Sequence, residues 1–313
     1  MEQSRNEIYA LVDEEFLSKY SDNHLAFMKD YYYKYYCKFC KRVKRKPLSQ
    51  NEFYRNMHRR RIQLYQLCCP YCGGINILIY DKMRQGIEGP NYCPHCGKGS
   101  TIENIFEQIA RFIRIRGIHG LGLKELKIEH PDAEEWLLAY DCYQMELIEL
   151  ASIIEVIFRD YFEALFCINN FGEKGKYTNY IKKVFNRHHG NDFMNIDKAN
   201  SIYKKAFGIN LKAELDAEVW NDLIDIVNLR NMMVHNNGKV DAHFKTTPSN
   251  SRLGNKIEGN LFKLEYEDVS KYLESVVTAV TKITDIFLEK YYLKRNITIA
   301  NYYFNHVALS SLD

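Results

Sequence analysis

The chain of 313 residues predicts a mainly α fold. Three observations carry that expectation. Apolar residues recur at helical spacing through long stretches between positions 131 and 292. Four cysteines in two Cys-Pro-x-Cys-Gly turns frame a short run of branched residues, which suits one small β module. Basic residues crowd into the first third of the chain. A length of 313 and an apolar content of 46% leave room for two or three domains with a sizeable core.

Residues 1–62 read as a basic helical region. Positions 38–61 carry ten Lys or Arg against one acid, Glu52. Residues 1–100 hold 17 basic and 10 acidic groups, whereas the remainder holds 26 and 30, so the mild net charge of +3 conceals a polarised molecule. Lys41, Arg42, Lys44, Arg45, Lys46, Arg59, Arg60 and Arg61 are the candidate nucleic-acid contacts, because cations hold phosphates. Phe53 and Tyr54 lie among them, and aromatic rings stack on bases. Tyr31, Tyr32, Tyr33, Tyr35 and Tyr36 read, as a group, as helix packing. A solvated helix face is the competing account of the charge run.

Residues 63–99 read as a zinc ribbon. Cys69-Pro-Tyr-Cys72-Gly and Cys93-Pro-His-Cys96-Gly are two knuckles, each aiming two sulfurs at one point. Four thiolates form a closed tetrahedral zinc site, structural rather than catalytic. Ile75–Tyr80 is the strand between them. Paired disulfides suit this spacing poorly in a chain whose N-terminus shows no targeting pattern. Cys37-Lys-Phe-Cys40 lacks both proline and glycine; it reads as ordinary helix, with a second metal site as the other reading. Cys68, Cys142 and Cys167 read as small core hydrophobes.

Residues 100–130 read as a helix, Thr101–Arg114, followed by a connector rich in glycine, Gly117-Ile-His-Gly-Leu-Gly122. Residues 131–313 form the helical domain. Its first helix is expected over 131–168, with Pro131 at the first position and Asp132, Glu134 and Glu135 at the positive end. Its last is expected over 266–292. Residues 245–259, with Pro, Ser, Asn and Gly, are the clearest loop, and their position after the next motif suggests a cover over it.

That motif is Leu229-Arg230-Asn231-Met-Met-Val-His235-Asn236-Asn237-Gly238. Arg230 is a permanent cation with a planar fork of donors suited to phosphate. His235 exchanges its proton near neutral pH. Asn231 and His235, four apart, share a helix face, and Asn236-Asn237-Gly238 is a helix stop. Arg230 and His235, five apart, lie about 140° round an ideal helix, so the arginine must reach round or the helix must distort. Arg-x4-His also occurs at Arg114 to His119, but Gly117 interrupts it and no asparagine follows the arginine.

Arg-Asn-x-x-x-His-Asn-Asn-Gly near the end of the penultimate long helix resembles the HEPN superfamily (higher eukaryote and prokaryote nucleotide-binding domains), in the forms found in abortive-infection and toxin proteins. The resemblance covers roughly residues 131–313 and concentrates at 230–238. It implies a HEPN-like bundle with a metal-independent ribonuclease site, generally completed across a two-fold homodimer. On this likeness Arg230 holds the phosphate, His235 transfers the proton, Asn231 orients one of them and Gly238 closes the helix. Glu155 and Arg159, four apart on the first helix of the domain, are the candidate accessory pair; a solvated ion pair is their other reading.

The expected function is an endoribonuclease in which a 2′-hydroxyl attacks the adjacent phosphorus, leaving a 2′,3′-cyclic phosphate, with zinc as a structural ion and no cofactor for catalysis. A regulated toxin or antiviral role with a regulatory or antitoxin partner is what the resemblance implies. The alternative is a non-catalytic protein that binds DNA or RNA through its basic region and ribbon and uses the helical domain to dimerise. The absence of a targeting pattern and of any long apolar run gives the expectation of a cytoplasmic protein without membrane contact.

Overall fold

A computed structural model describes residues 10–12, 14–18, 21–68, 75–81, 86–88, 97–99, 101–169 and 193–303. In chain order the elements are β1 (Ala10–Leu11), α1 (Glu14–Leu17), α2 (Asp22–Arg42), α3 (Gln50–His58), β2 (Ile62–Cys68), β3 (Ile75–Asp81) and β4 (Gly86–Glu88). Then follow α4 (Thr101–Glu129), α5 (Glu135–Asn169), α6 (Ile196–Phe207), α7 (Leu211–Glu214), α8 (Ala217–Asn236), α9 (Ala242–Lys245), α10 (Pro248–Arg252) and α11 (Tyr266–Tyr303). The protein is mainly helical, as expected. Among the described residues no helix is long and apolar enough to cross a membrane.

Two compact units divide the chain, one of residues 1–100, 167–174 and 288–313, the other of 101–166 and 175–287. In the first, four antiparallel strands pair in the order β1-β2-β3-β4. Leu64 on β2 stands opposite Ile79 on β3, and both are buried, so one face of the sheet is apolar. Tyr32, Tyr36 and Cys40 are buried on α2, and the Tyr36 ring stacks on Phe53 of α3 with centroids 4.6 Å apart. The start of α3 is closed by Glu52, whose carboxylate accepts the Ser49 N–H at 3.1 Å and its hydroxyl at 2.7 Å. These bonds hold the Glu52 carboxyl below its usual range. The basic helical region and the β strands thus share one core, where the sequence suggested separate segments.

The second unit is built round α5. Its Leu147, Leu150, Ile154, Ile157, Phe158, Tyr161 and Phe162 are buried, at the spacing of a helix apolar on most sides. Tyr161 stacks on Phe287 of α11 at 4.5 Å and shares a hydrogen bond of 2.7 Å with the Thr284 hydroxyl. The Tyr203 hydroxyl of α6 donates to the Phe158 carbonyl at 2.7 Å. Trp220, Leu223, Ile226 and Leu229 of α8 and Val269, Val276, Val280 and Ile283 of α11 complete the core.

Four boundaries differ from expectation. α4 does not end at Arg114; it runs through Gly117, Gly120 and Gly122 to Glu129, although three glycines in place of alanines cost roughly 3 kcal/mol. Arg116 and His119 on its inner side both reach Glu146 of α5, and Lys127 meets Glu135 at 2.7 Å, so side-chain anchors carry the helix past its weak stretch. α5 begins at Glu135 and leaves Pro131 in the preceding turn, where Ala133 N–H reaches the His130 carbonyl at 3.1 Å. α11 extends to Tyr303 instead of stopping near 292. The expected loop 245–259 contains α10, with Pro248 in its first turn.

Candidate functional site

α8 buries Trp220, Leu223, Ile226, Val227, Leu229 and Met233, and this apolar series fixes which residues are left to face outward at its C-terminal end. The helix stops where the sequence said it would. Asn237 takes a left-handed conformation (φ 50°), and Gly238 follows at φ 75°. The Asn236 amide donates to the Lys239 carbonyl at 2.7 Å, and the Phe262 N–H reaches back to the Gly238 carbonyl at 2.8 Å. A Cβ on residue 238 would overlap the Tyr140 hydroxyl and lie 2.9 Å from the Gln144 amide nitrogen and 3.1 Å from the Met233 sulfur. Glycine is therefore required twice, for its backbone angle and for the approach of α5.

Arg230 is half-buried and His235 exposed, with Val234 (43% exposed) and half-buried Asn231 between them. Arg230 Nη1 donates to the Asn231 side-chain oxygen at 3.0 Å. Its Nε is buried and has no hydrogen-bond acceptor. A buried donor without a partner costs about 1–3 kcal/mol; the Tyr143 hydroxyl and Glu146 Oε2 share that condition. α8 is α-helical through Asn236, so no local distortion brings the two side chains together. On a regular helix the two residues leave the axis about 140° apart and about 7.5 Å apart along it, and the bond to Asn231 draws the guanidinium round toward the face that Asn231 shares with His235.

Glu155 and Arg159 form the pair expected of them, Nη1 to Oε1 at 3.4 Å, and Arg159 Nε also reaches Asp160 at 3.1 Å. The pair sits near the middle of α5, away from the Gly238 end of the motif. Tyr140, which touches the motif glycine's position, is fifteen residues from Glu155 on the same helix, roughly 22 Å away. Tyr140 and Gln144, four apart, are the α5 residues that meet the motif turn, and the sequence pointed to neither. Burial raises the Tyr140 hydroxyl above its ordinary range, with Gln144 opposing.

The segment expected to cover the motif is pinned elsewhere. Arg252 of α10 makes a two-pronged pair with Asp225, its Nε at 3.2 Å, and the Asn228 amide donates to the Ser249 hydroxyl at 2.8 Å. Both anchors precede Arg230, in the middle of α8. Beside them lies a cavity of about 350 Å³ whose lining includes Glu218, Asp222, Asp225, Arg252, Lys271 and Tyr272. Asp222 accepts from the Ser275 hydroxyl at 2.7 Å and pairs with Lys271 at 3.1 Å. Burial opposes the charge on Lys271, but Asp222 and Glu218 outweigh it and raise its pKa. Its two buried acids are thus satisfied within the protein.

Another group missed by the sequence reading is Glu146, 2% exposed on α5. His119 Nδ1 lies 2.7 Å from its Oε1, and Arg116 Nε is 3.7 Å from its Oε2. The Arg116 guanidinium lies over the Tyr266 ring at 4.4 Å and bonds the Ser270 hydroxyl. The signal was present as Arg116-x-x-His119, three apart on one helix face; Gly117 and Gly120 hid it by suggesting a connector.

In the other unit the eight candidate basic residues are all exposed. They form two groups: Lys41 to Lys46 precede α3, and Arg59 to Arg61 follow it, roughly 14 Å further on along nine residues. Tyr32 and Tyr36 are buried, and the Cys37 and Cys40 thiols on α2 bond to the Tyr33 and Tyr36 hydroxyls. Cys69, Cys72, Cys93 and Cys96 lie outside the described residues. β2 and β3 pair to their ends, Cys68 opposite Ile75, so the first knuckle falls in their connection.

No protein-family model matches the chain, and no curated protein or solved structure matches it.

Proposed function

We propose that the chain is a metal-independent endoribonuclease of the HEPN type, with a structural zinc ion held by Cys69, Cys72, Cys93 and Cys96. The observation that carries the proposal is the buried Arg230 Nε without an acceptor, on the same helix end as an exposed His235. His235 takes the proton of an RNA 2′-hydroxyl, the oxygen attacks the neighbouring phosphorus, and Arg230 meets the charge that develops on the phosphoryl oxygens. The bond from phosphorus to the 5′ oxygen breaks and that oxygen gains a proton, leaving cyclic-phosphate and 5′-hydroxyl ends. DNA lacks the nucleophile and is spared.

Two copies of the motif face each other across a homodimer and form one composite groove. The exposed groups at Lys41–Lys46 and Arg59–Arg61 hold the RNA backbone. The zinc reading is supported by a hairpin whose connection contains one complete knuckle. A toxin or antiviral role under control of a partner, acting in the cytoplasm, completes the reading.

A second reading has its own observation. The bond from Arg230 to Asn231 of its own helix equally suits a non-catalytic nucleic-acid-binding protein whose helical domain only dimerises. Labelled RNA incubated with the purified chain in EDTA separates the two. Cleavage that survives chelation and is lost in Arg230→Ala supports the enzyme; intact RNA bound in a salt-sensitive way supports the binding protein.

A further inference from the structure

The outer side of α4 mixes charged residues with an unusual number of exposed apolar ones. Of the thirteen large hydrophobic residues exposed among the described residues, six lie on α4: Phe106, Ile113, Ile118, Leu121, Leu126 and Ile128. Ile118, Leu121 and Ile128 are 67%, 65% and 73% exposed. Among the described residues a Cβ added at Gly117, Gly120 or Gly122 would meet nothing within 4 Å, so no described neighbour requires these glycines. The helix carries their conformational penalty with only its inner side anchored, through Arg116 and His119 to Glu146.

Arg114, Ile118, Leu121 and Glu125 are spaced four, three and four apart, the a/d seam of a coiled coil, and all four are exposed. The seam is self-complementary in one orientation. Turned end for end about a point between His119 and Gly120, Ile118 faces Leu121 of the other helix, and Arg114 faces Glu125, on both sides at once. A parallel pairing would set arginine against arginine and glutamate against glutamate. Arg114 now lies 2.7 Å from Glu107 in an exposed pair, which is easily exchanged. The glycines beside the seam let two backbones approach closely.

We propose that the C-terminal half of α4 is a self-association surface, on which a second copy of this chain packs its own α4 in antiparallel fashion. The contact uses neither Arg230 nor His235, and it stands whether or not RNA is cut.

Sedimentation velocity of the full chain at micromolar concentration tests it. The wild type is expected to sediment as an assembly of two or more copies. Leu121→Asp should abolish this contact, and Arg114→Glu or Glu125→Arg alone should weaken it roughly tenfold or more through repulsion on both flanks. The double variant R114E/E125R should restore it, because the swap returns opposite charges to each pair. These positions are exposed, so helix content by circular dichroism should be unchanged. A wild type that is monomeric throughout overturns the proposal. So does an assembly indifferent to Leu121→Asp, or one the double charge swap does not rescue.

Discussion

Two arginine–histidine pairs in the helical unit invite comparison. Arg116 and His119 sit three apart on the inner side of α4 and converge on the buried carboxylate of Glu146. Arg230 and His235 sit five apart at the end of α8, and Arg230 keeps a buried donor without an acceptor among the described residues. The first pair ties two helices together through one carboxylate. The second has only the Nη1 bond to Asn231, and its Nε meets no acceptor among the described residues. The same two side-chain types thus serve cohesion in one place and are left available in the other, and the difference is a matter of spacing and of what stands opposite.

Substitutions at the two pairs should therefore fail in different ways. His235→Ala is expected to reduce RNA cleavage by about 10²–10⁴-fold while leaving the thermal midpoint unchanged; measurable cleavage at the wild-type rate would remove the distinction. Glu146→Ala should do the reverse in kind. Taking the buried carboxylate from two half-buried basic side chains costs about 1–3 kcal/mol, read as a lower urea midpoint. Gly238→Ala lies between, losing about 1–3 kcal/mol from the left-handed backbone and disturbing the motif turn; cleavage and urea titration should both register it.

Titration sharpens the contrast further. Burial, with Glu135, Glu146 and Glu267 adding, pushes the Tyr143 hydroxyl up to about 12, against about 10 for an ordinary tyrosine. A raised folded value means its contribution to stability is full below about pH 10 and is lost as pH rises through about 12. Alkaline unfolding followed by tyrosinate absorbance should show that window, and Tyr143→Phe should shrink it. The smallest effect is expected at Arg159→Ala. Its half-exposed pairs are worth a few tenths of a kcal/mol, and its distance from Tyr140 predicts unchanged cleavage.

The motif's own end was legible because local chemistry sets it: Asn237 and Gly238 stop α8 by backbone preference, whatever packs nearby. The inner series from Trp220 to Met233 was legible for the same reason, as periodicity. Tertiary choices were not. Gly117, Gly120 and Gly122 argue locally for a break, and only anchors from Glu146 and Glu135, distant in sequence, override them. Glu155 with Arg159 was legible as an ion pair from its spacing of four, whereas position relative to partner helices is not written in that spacing. Tyr140 and Gln144 gave no sign, since their role comes from a glycine nearly one hundred residues away.

That glycine has a mechanical consequence. The Tyr140 hydroxyl fills the volume a side chain at 238 would have taken, so α5 and the last turn of α8 leave each other no slack. Dense packing transmits displacement rather than absorbing it. A side chain at 238 would therefore have to push α5 and the last turn of α8 apart before the motif could close.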